Sequence, residues 1–471
     1  LAALSLIALL AAPAFSADWD KLLGNDPSIE FGVRLGGPEP FERDTARIFA
    51  PASNAKLFTG IAALETLGPD FRFETRIEWT DVAPGAVTDL RVFGSGDPSW
   101  GVPELGEGLR SRLDAFAARI RADGVREIRG PIRFVAADER WDALPIPPGW
   151  DEEDRTSCYG VMAQAFELQL GCATFVVTSP TRGHWKEPGV PTSVTLAIGA
   201  GTETALTIGR ARPGDLAPAT AFVIRGTWKA GAGPVEVQLP VNDSKAWAAA
   251  LFARALAAAG IRLVPADARA LTPIAAHSRT FFSPPLSKLL VPFMKESINV
   301  IGEALYLTLG ARADGAAALD DAGRDALARF TGVLGPPGAA VSLVDGSGIS
   351  RKDTVSVDAL YALLERERAR PEFPLLWSAL PIAGVDGTLA DRMNGTPAQG
   401  VLRAKTGTLT GVYNLSGYVP RRARGAIVEY VPFVILAESA SADLVDSRAA
   451  EDRVGAALAA LIRAEGVTAG F

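Results

Sequence analysis

Residues 51–64 read PASNAKLFTGIAAL. A serine and, three positions on, a lysine open a run whose apolar residues recur at Leu57, Ile61, Ala62 and Leu64. Pro51 stands just before that run and Gly68-Pro69 stops it, so the pattern over 45–68 predicts an extended start that turns helical. Residues i and i+3 of a helix share a face, which brings the Lys56 amine within reach of the Ser53 oxygen. A serine hydroxyl is a poor nucleophile and needs a base beside it. A lysine serves as that base once burial and a nearby cation have favoured loss of its proton. The pair alone is a weak signal, because serine is also a favoured helix cap.

Two further short motifs strengthen it. Ser297-Ile298-Asn299 is S-x-N and Lys405-Thr406-Gly407 is K-T-G, each present once and in that order. The expected roles follow from the chemistry. Lys405 supplies the cation beside Lys56. Ser297 relays a proton to the leaving amine, and Asn299 orients Lys56 and the substrate amide. Lys405 to Thr408 fall on a predicted strand, Leu402 to Thr408. Gly407 has no side chain, so a substrate can lie close to the backbone there. Main-chain N–H groups of Ser53 and Thr408 are expected to form an oxyanion hole. Lys405, Thr406 and Thr408 are expected to hold a free carboxylate, which suits removal of a C-terminal amino acid. A Ser-His-Asp enzyme is disfavoured: there are two histidines, His184 and His277, and no G-x-S-x-G elbow.

Working outward, the 471-residue chain is 48% hydrophobic, enough for a sizeable core and roughly three domains. A net charge of -7 and a pI near 5.2 argue against nucleic acid as a partner. The opening LAALSLIALLAAPAFSADWD is apolar, then small, then polar. It is too short to span a bilayer and reads as the remnant of a secretory signal over 1–17, which implies export to the periplasm. No later run is long enough for a transmembrane segment. Two cysteines, Cys158 and Cys172, suit a disulfide in an exported chain, with two buried thiols as the alternative. Two Cys and two His far apart give a zinc site little to build on. No metal and no cofactor are expected.

Strands are expected at 31–35, 46–49, 71–79, 89–93 and as a pair around 128–138. Residues 94–98, Gly-Ser-Gly-Asp-Pro, read as a turn, and Asp97 and Asp386 as structural turn acids. Short strand candidates at 173–178, 193–198, 204–209, 220–225 and 234–239 mark a small β-rich module. Helices follow at 244–259, 298–312, 319–333 and 356–366, then strands at 401–406, 412–420 and 426–438 and a helix near 446–464. The expected fold class is α/β (α+β). Strands 31–35 and 46–49 join the late strands in one antiparallel sheet flanked by helices, with the middle of the chain as an insertion.

These motifs, in this order, resemble the type-4, low-molecular-mass class C penicillin-binding proteins, the D-alanyl-D-alanine carboxypeptidase/endopeptidases. Beyond the three motifs, GSGDPSW (94–100), VDGSGISR (344–351), AGVDGTL (383–389) and AKTGTLTGV (404–412) carry the likeness. Ser53 and Ser297 lie 244 residues apart, a gap much longer than in β-lactamases. The resemblance implies a β-lactamase/transpeptidase-like domain over 18–68 and 283–471. It implies an inserted domain over 69–181 and 239–282, with a nested β-rich domain over 182–238. It implies peptidoglycan stem peptides and their diaminopimelate cross-links as substrate, β-lactams as covalent inhibitors, and a homodimer, since related proteins can dimerise. It further implies that Asp154 faces the diaminopimelate amine and that Arg351 faces a far carboxylate, each with a purely structural reading beside it. Ser347 and Gly348 are cleft candidates. A β-lactamase or a catalytically silent wall-binding protein are the competing readings.

Overall fold

A computed structural model describes residues 17–106, 108–211, 221–265, 272–312, 318–332, 340–439 and 444–468. The signal expected over residues 1–17 lies outside the described residues except for Ala17.

The ends of the chain meet in a five-stranded antiparallel sheet. Its order is Phe41–Arg43, Ile29–Leu35, Ala426–Ser439, Val412–Ala423, Arg403–Leu409. Side chains on a strand alternate between faces, and this sheet is covered on both. Phe433, Ile435 and Ala437 join Phe31, Val33 and Leu35 beneath the C-terminal helix Leu444–Thr468, packed on Val454, Leu458 and Ile462. Val434 and Leu436, one residue out of phase, join the opposite core with Phe58, Ile61 and Leu290. Every residue from Ala55 to Leu64 of the helix Ala55–Leu67 is buried. A helix apolar all round belongs at the centre of a domain, and this one carries Lys56 there.

The expected place of strand 46–49 is corrected. Ile48–Phe49 leaves the main sheet and pairs with Thr354–Ser356, which pairs with Val341–Ser342. The place beside Ile29–Leu35 at the sheet edge goes to Phe41–Arg43, which folds straight back onto it as a hairpin. Asp44, left-handed at φ 47°, then turns the chain out of the sheet. Residues 94–98 are also more ordered than a turn, since Asp97–Trp100 is a strand parallel to Phe166–Leu168. Asp97 is buried, accepts from Ser99 N and Oγ, and pairs with Arg112, a structural role.

A six-stranded sheet gathers Glu74–Ala83, Ala86–Gly94, Glu127–Arg129, Arg133–Ala136, Arg262–Val264 and Ala275–Phe282. The pair expected around 128–138 does not self-pair; each strand runs parallel to part of Ala86–Gly94. Two three-stranded sheets lie between residues 172 and 240. They share a small core of Phe175, Val177, Phe222, Ile224, Trp228, Val237 and Leu239. Cys158 and Cys172 are joined as a disulfide. No described helix is long and apolar enough to cross a membrane.

Candidate active site

Ser53 sits in a 3₁₀ turn, Ala52–Asn54, that leads into the central helix. The turn is fastened from below. Asn414 donates to Ala50 O at 2.9 Å and Pro51 O at 2.7 Å, and Asn54 Nδ2 donates to Ser416 Oγ at 3.1 Å. Ala52 takes φ 45°, a conformation that L side chains rarely adopt. Such strain persists where surrounding contacts over-determine it and clusters at functional sites.

Lys56 is fully buried, and its Nζ has three oxygen neighbours. They are Ser53 Oγ at 2.9 Å, Asn299 Oδ1 at 2.6 Å and Ser347 O at 2.7 Å. The Ser347 carbonyl can only accept. Asn299 Nδ2 donates to Tyr159 O at 2.8 Å, which turns Oδ1 toward the amine. A neutral amine has two N–H bonds and one lone pair. As the ammonium, Nζ donates to all three oxygens; in the neutral amine the two carbonyl oxygens would take the N–H bonds and the lone pair would face the Ser53 hydroxyl.

Burial lowers the Lys56 pKa to about 7, against the opposing pull of Asp345, Glu303 and Asp353. The expected cause is therefore adjusted. Burial leads, and Lys405 is not the dominant neighbour. Lys405 is itself fully buried and pushed well below the ordinary lysine range, by burial first and Lys56 second. Its Nζ donates to Ser297 Oγ and Thr406 O, both at 2.9 Å. Ser297 takes φ 58° between the helices Leu286–Lys295 and Asn299–Arg312. With Lys405 donating to its oxygen, Ser297 keeps its own hydroxyl proton for another acceptor.

Ser53, Ser297 and Asn299 open on a cleft of about 500 Å³ shared with Asp154, Tyr159, Gly348, Arg351, Thr388, Thr406 and Thr408. Lys405 is not on its wall; its Nζ reaches toward the cleft through Ser297. Gly407 also differs from expectation. A Cβ there would lie 2.8 Å from Pro51 O and 3.0 Å from Asn414 Cβ. The bare face of Gly407 is therefore filled by the turn that carries Ser53, and the glycine lets strand and turn dock. Thr406 and Thr408 face the cleft, and Thr406 Oγ1 donates to Thr388 Oγ1 at 2.8 Å. Asp154 accepts from Tyr159 Oη at 3.0 Å and Asp151 N at 2.9 Å. Arg351 pairs with Asp151 at 3.1 Å and donates to Thr410 O at 3.2 Å. Asp386 pairs with Lys295 at 2.6 Å and holds the loop that presents Thr388.

Several groups escaped the sequence reading. Glu303 lies one turn beyond Asn299 and is buried, its pKa raised by burial and by Asp345. Its signal was present: it is the sole charge in NVIGEALYLTLGA. Asp345 accepts from Ser347 N, Gly348 N, Ser350 N and Trp150 Nε1 at 2.6–3.1 Å, and so shapes the loop whose carbonyl holds Lys56. Tyr159 and Thr388 carried no distinctive spacing.

Comparison with known proteins gives the family and the fold. A family model described as D-Ala-D-Ala carboxypeptidase 3 (S13) matches residues 37–460. A D-alanyl-D-alanine carboxypeptidase from an Actinomadura species is 36% identical over 444 residues, covering 86% of this chain and 78% of that one. The D-alanyl-D-alanine carboxypeptidase DacB of Haemophilus influenzae is 26% identical over 405 residues, covering 81% and 80%. The crystal structure of penicillin-binding protein 4 from that organism superposes with a TM-score of 0.74 at 23% identity, covering 93% and 98%. The chain is a peptidase and belongs to the D-Ala-D-Ala carboxypeptidase 3 (S13) family.

Proposed function

We propose that this protein is a periplasmic serine-type D-Ala-D-Ala carboxypeptidase/endopeptidase of peptidoglycan stem peptides, working through an acyl-enzyme on Ser53. The observation that carries the reading is the three-way setting of Lys56 Nζ between Ser53 Oγ, Asn299 Oδ1 and Ser347 O. Lys56 takes the Ser53 proton as Oγ attacks the carbonyl of the penultimate D-Ala. N–H groups of Ser53 and Thr408 receive the developing oxyanion. The amide C–N bond breaks, and Ser297 passes a proton to the leaving nitrogen. Water then hydrolyses the ester.

Thr406 and Thr408 hold the substrate carboxylate, with Lys405 acting through Ser297. Asp154 and Arg351 meet the polar end of the stem peptide on the opposite side of the cleft. β-Lactams acylate Ser53 in the same way; a structure of the H. influenzae relative is described as complexed with a β-lactam. Sheet membership supports dividing the chain into 18–68 with 283–471, 69–181 with 239–282, and 182–238, except at the edges of the nested module, where Cys172–Ser179 pairs with Arg182–Trp185 and Val235–Pro240. The core shared by Phe175 and Val177 with residues 222–239 extends the nested module back toward residue 172. The signal over 1–17 and a homodimer belong to the same reading.

Fluorescent penicillin followed by denaturing electrophoresis and peptide mass spectrometry tests it. The adduct is expected on Ser53, and a chain left unlabelled would sink the proposal. A pH dependence follows from Lys56. Its proton must be absent for it to act as base, and the group titrates at about 7. The acylation rate is therefore expected to rise with pH through 7 and level above it, with about a tenfold deficit at pH 6. Stopped-flow acylation across this range checks the sign; a rate that falls with rising pH contradicts it.

A further inference from the structure

The two carbonyl oxygens that hold the Lys56 amine come from different elements. Asn299 Oδ1 stands at the start of the helix Asn299–Arg312, and Ser347 O belongs to the loop 343–353. Helix and loop dock backbone to backbone. A Cβ on Gly302 would lie 2.7 Å from Gly346 O, so the contact has no room for a side chain. Beside it stands Glu303, only 3% exposed. Its Oε1 accepts from Gly346 N at 3.1 Å. The next two N–H groups of the loop, those of Ser347 and Gly348, go to Asp345 Oδ1. Glu303 thus fastens the loop to the helix one turn from Asn299. Tyr306 Oη makes a second tie, to Val344 O at 3.2 Å, one turn further along the helix.

The charges around Glu303 are few and buried. Lys56 faces it from the central helix, Asp345 and Asp353 from the loop, and Tyr306 from its own helix. Asp320, from the helix Leu319–Thr331, lines the same small cavity. Burial raises the Glu303 pKa, and Asp345 raises it further, while burial lowers that of Lys56. Both shifts favour carboxyl and neutral amine over carboxylate and ammonium. A permanent carboxylate at this place would hold the proton on Lys56. An apolar side chain would leave the buried Gly346 N–H without its acceptor.

We propose that Glu303 is a positioning residue for acylation, tying the loop that carries Ser347 O to the helix that carries Asn299 Oδ1 and acting on the Lys56 amine through its charge. The inference rests on the acyl-enzyme reading and goes beyond it: Glu303 is not on the wall of the cleft and acts through Lys56. Lys56 Nζ spans its two carbonyl oxygens at 2.6 and 2.7 Å, so a change in their separation turns the lone pair away from Ser53 Oγ. Misplacement on the order of 1 Å is enough to slow a reaction about 10²-fold.

Length and charge of the side chain separate the two effects. Glu303→Gln keeps an oxygen at the same reach from Gly346 N and removes the charge. Any carboxylate at 303 pulls the proton onto Lys56, and without that pull the lysine deprotonates at lower pH. The midpoint of acylation against pH is expected to fall by about half a unit, and the rate at pH 6, relative to the plateau, to rise about threefold. Glu303→Asp keeps the charge and draws the carboxyl back from Gly346 N by one methylene. Its plateau is expected to fall at least about tenfold, with a midpoint above that of Glu303→Gln. Stopped-flow penicillin acylation of the full chain reads midpoint and plateau, beside a thermal melt. A part played in folding alone would lower the melts and leave both midpoints at the wild-type value, and that result overturns the proposal. A Glu303→Asp plateau equal to wild type overturns it too, and decides alone where Glu303→Gln does not melt cooperatively. A wild-type chain that acquires no adduct on Ser53 sinks the acyl-enzyme reading instead.

Discussion

Lys56→Ala is expected to slow acylation of Ser53 by about 10³- to 10⁴-fold, the span of a well-placed general base. In the proposed mechanism the lone pair that takes the Ser53 proton belongs to this amine, and the described residues around Ser53 Oγ offer no second base at hydrogen-bond distance. The truncation also leaves Asn299 Oδ1 and Ser347 O without their buried donor, a cost of about 1–3 kcal/mol for each unsatisfied group. A loss of activity from instability has to be separated from loss of the base. Lys56→Arg does this. Arginine keeps a cation and several N–H donors but does not give up its proton in a protein. It is expected to be as slow as the alanine variant. Penicillin acylation by stopped flow, beside a thermal melt, reads both quantities. Acylation at the wild-type rate in either variant would falsify the assignment of Lys56.

What the chain disclosed in advance follows the same division between side chains and backbone. Ser53, Lys56, Ser297, Asn299 and Lys405, which the fold brings together, stood out as candidates because acyl transfer needs a nucleophile, a base and proton carriers of particular types. The partners that fix Lys56 were less legible. Ser347 and Tyr159 act through main-chain carbonyls, and any residue has one. Gly407 misled for a related reason. A glycine signals close approach, but the sequence does not say whether a ligand or the protein itself approaches; here it is Pro51 and Asn414. The strand at 46–49 was recognised by its pattern and assigned to the wrong sheet, because register and partner depend on the turn at Asp44. Glu303 was the avoidable omission. An acid alone in an apolar helix must be buried with a purpose, and four residues after Asn299 it faces the same side.

Gly348→Ala is the second large effect, expected to slow acylation by at least about 10²-fold although residue 348 donates no atom to the reaction. Its φ of 81° is left-handed, and a methyl group there would lie deep inside van der Waals distance of Ala52 O and 3.0 Å from Ala55 Cβ. One of two things must then move. If the turn yields, Ser53, the next residue after Ala52, leaves its position over Lys56. If the loop yields, Ser347 O withdraws from Lys56 Nζ, because Ser347 and Gly348 hang together on Asp345 Oδ1. Either shift is on the order of 1 Å, enough to misalign nucleophile and base. The stability cost is smaller, about 1–3 kcal/mol for a non-glycine residue held in that conformation. The variant should therefore melt cooperatively at a reduced temperature while acylating far more slowly than that change in folding accounts for. An acylation rate matching the wild type, with only the melt lowered, would show that the loop and the Ser53 turn yield independently of the catalytic geometry.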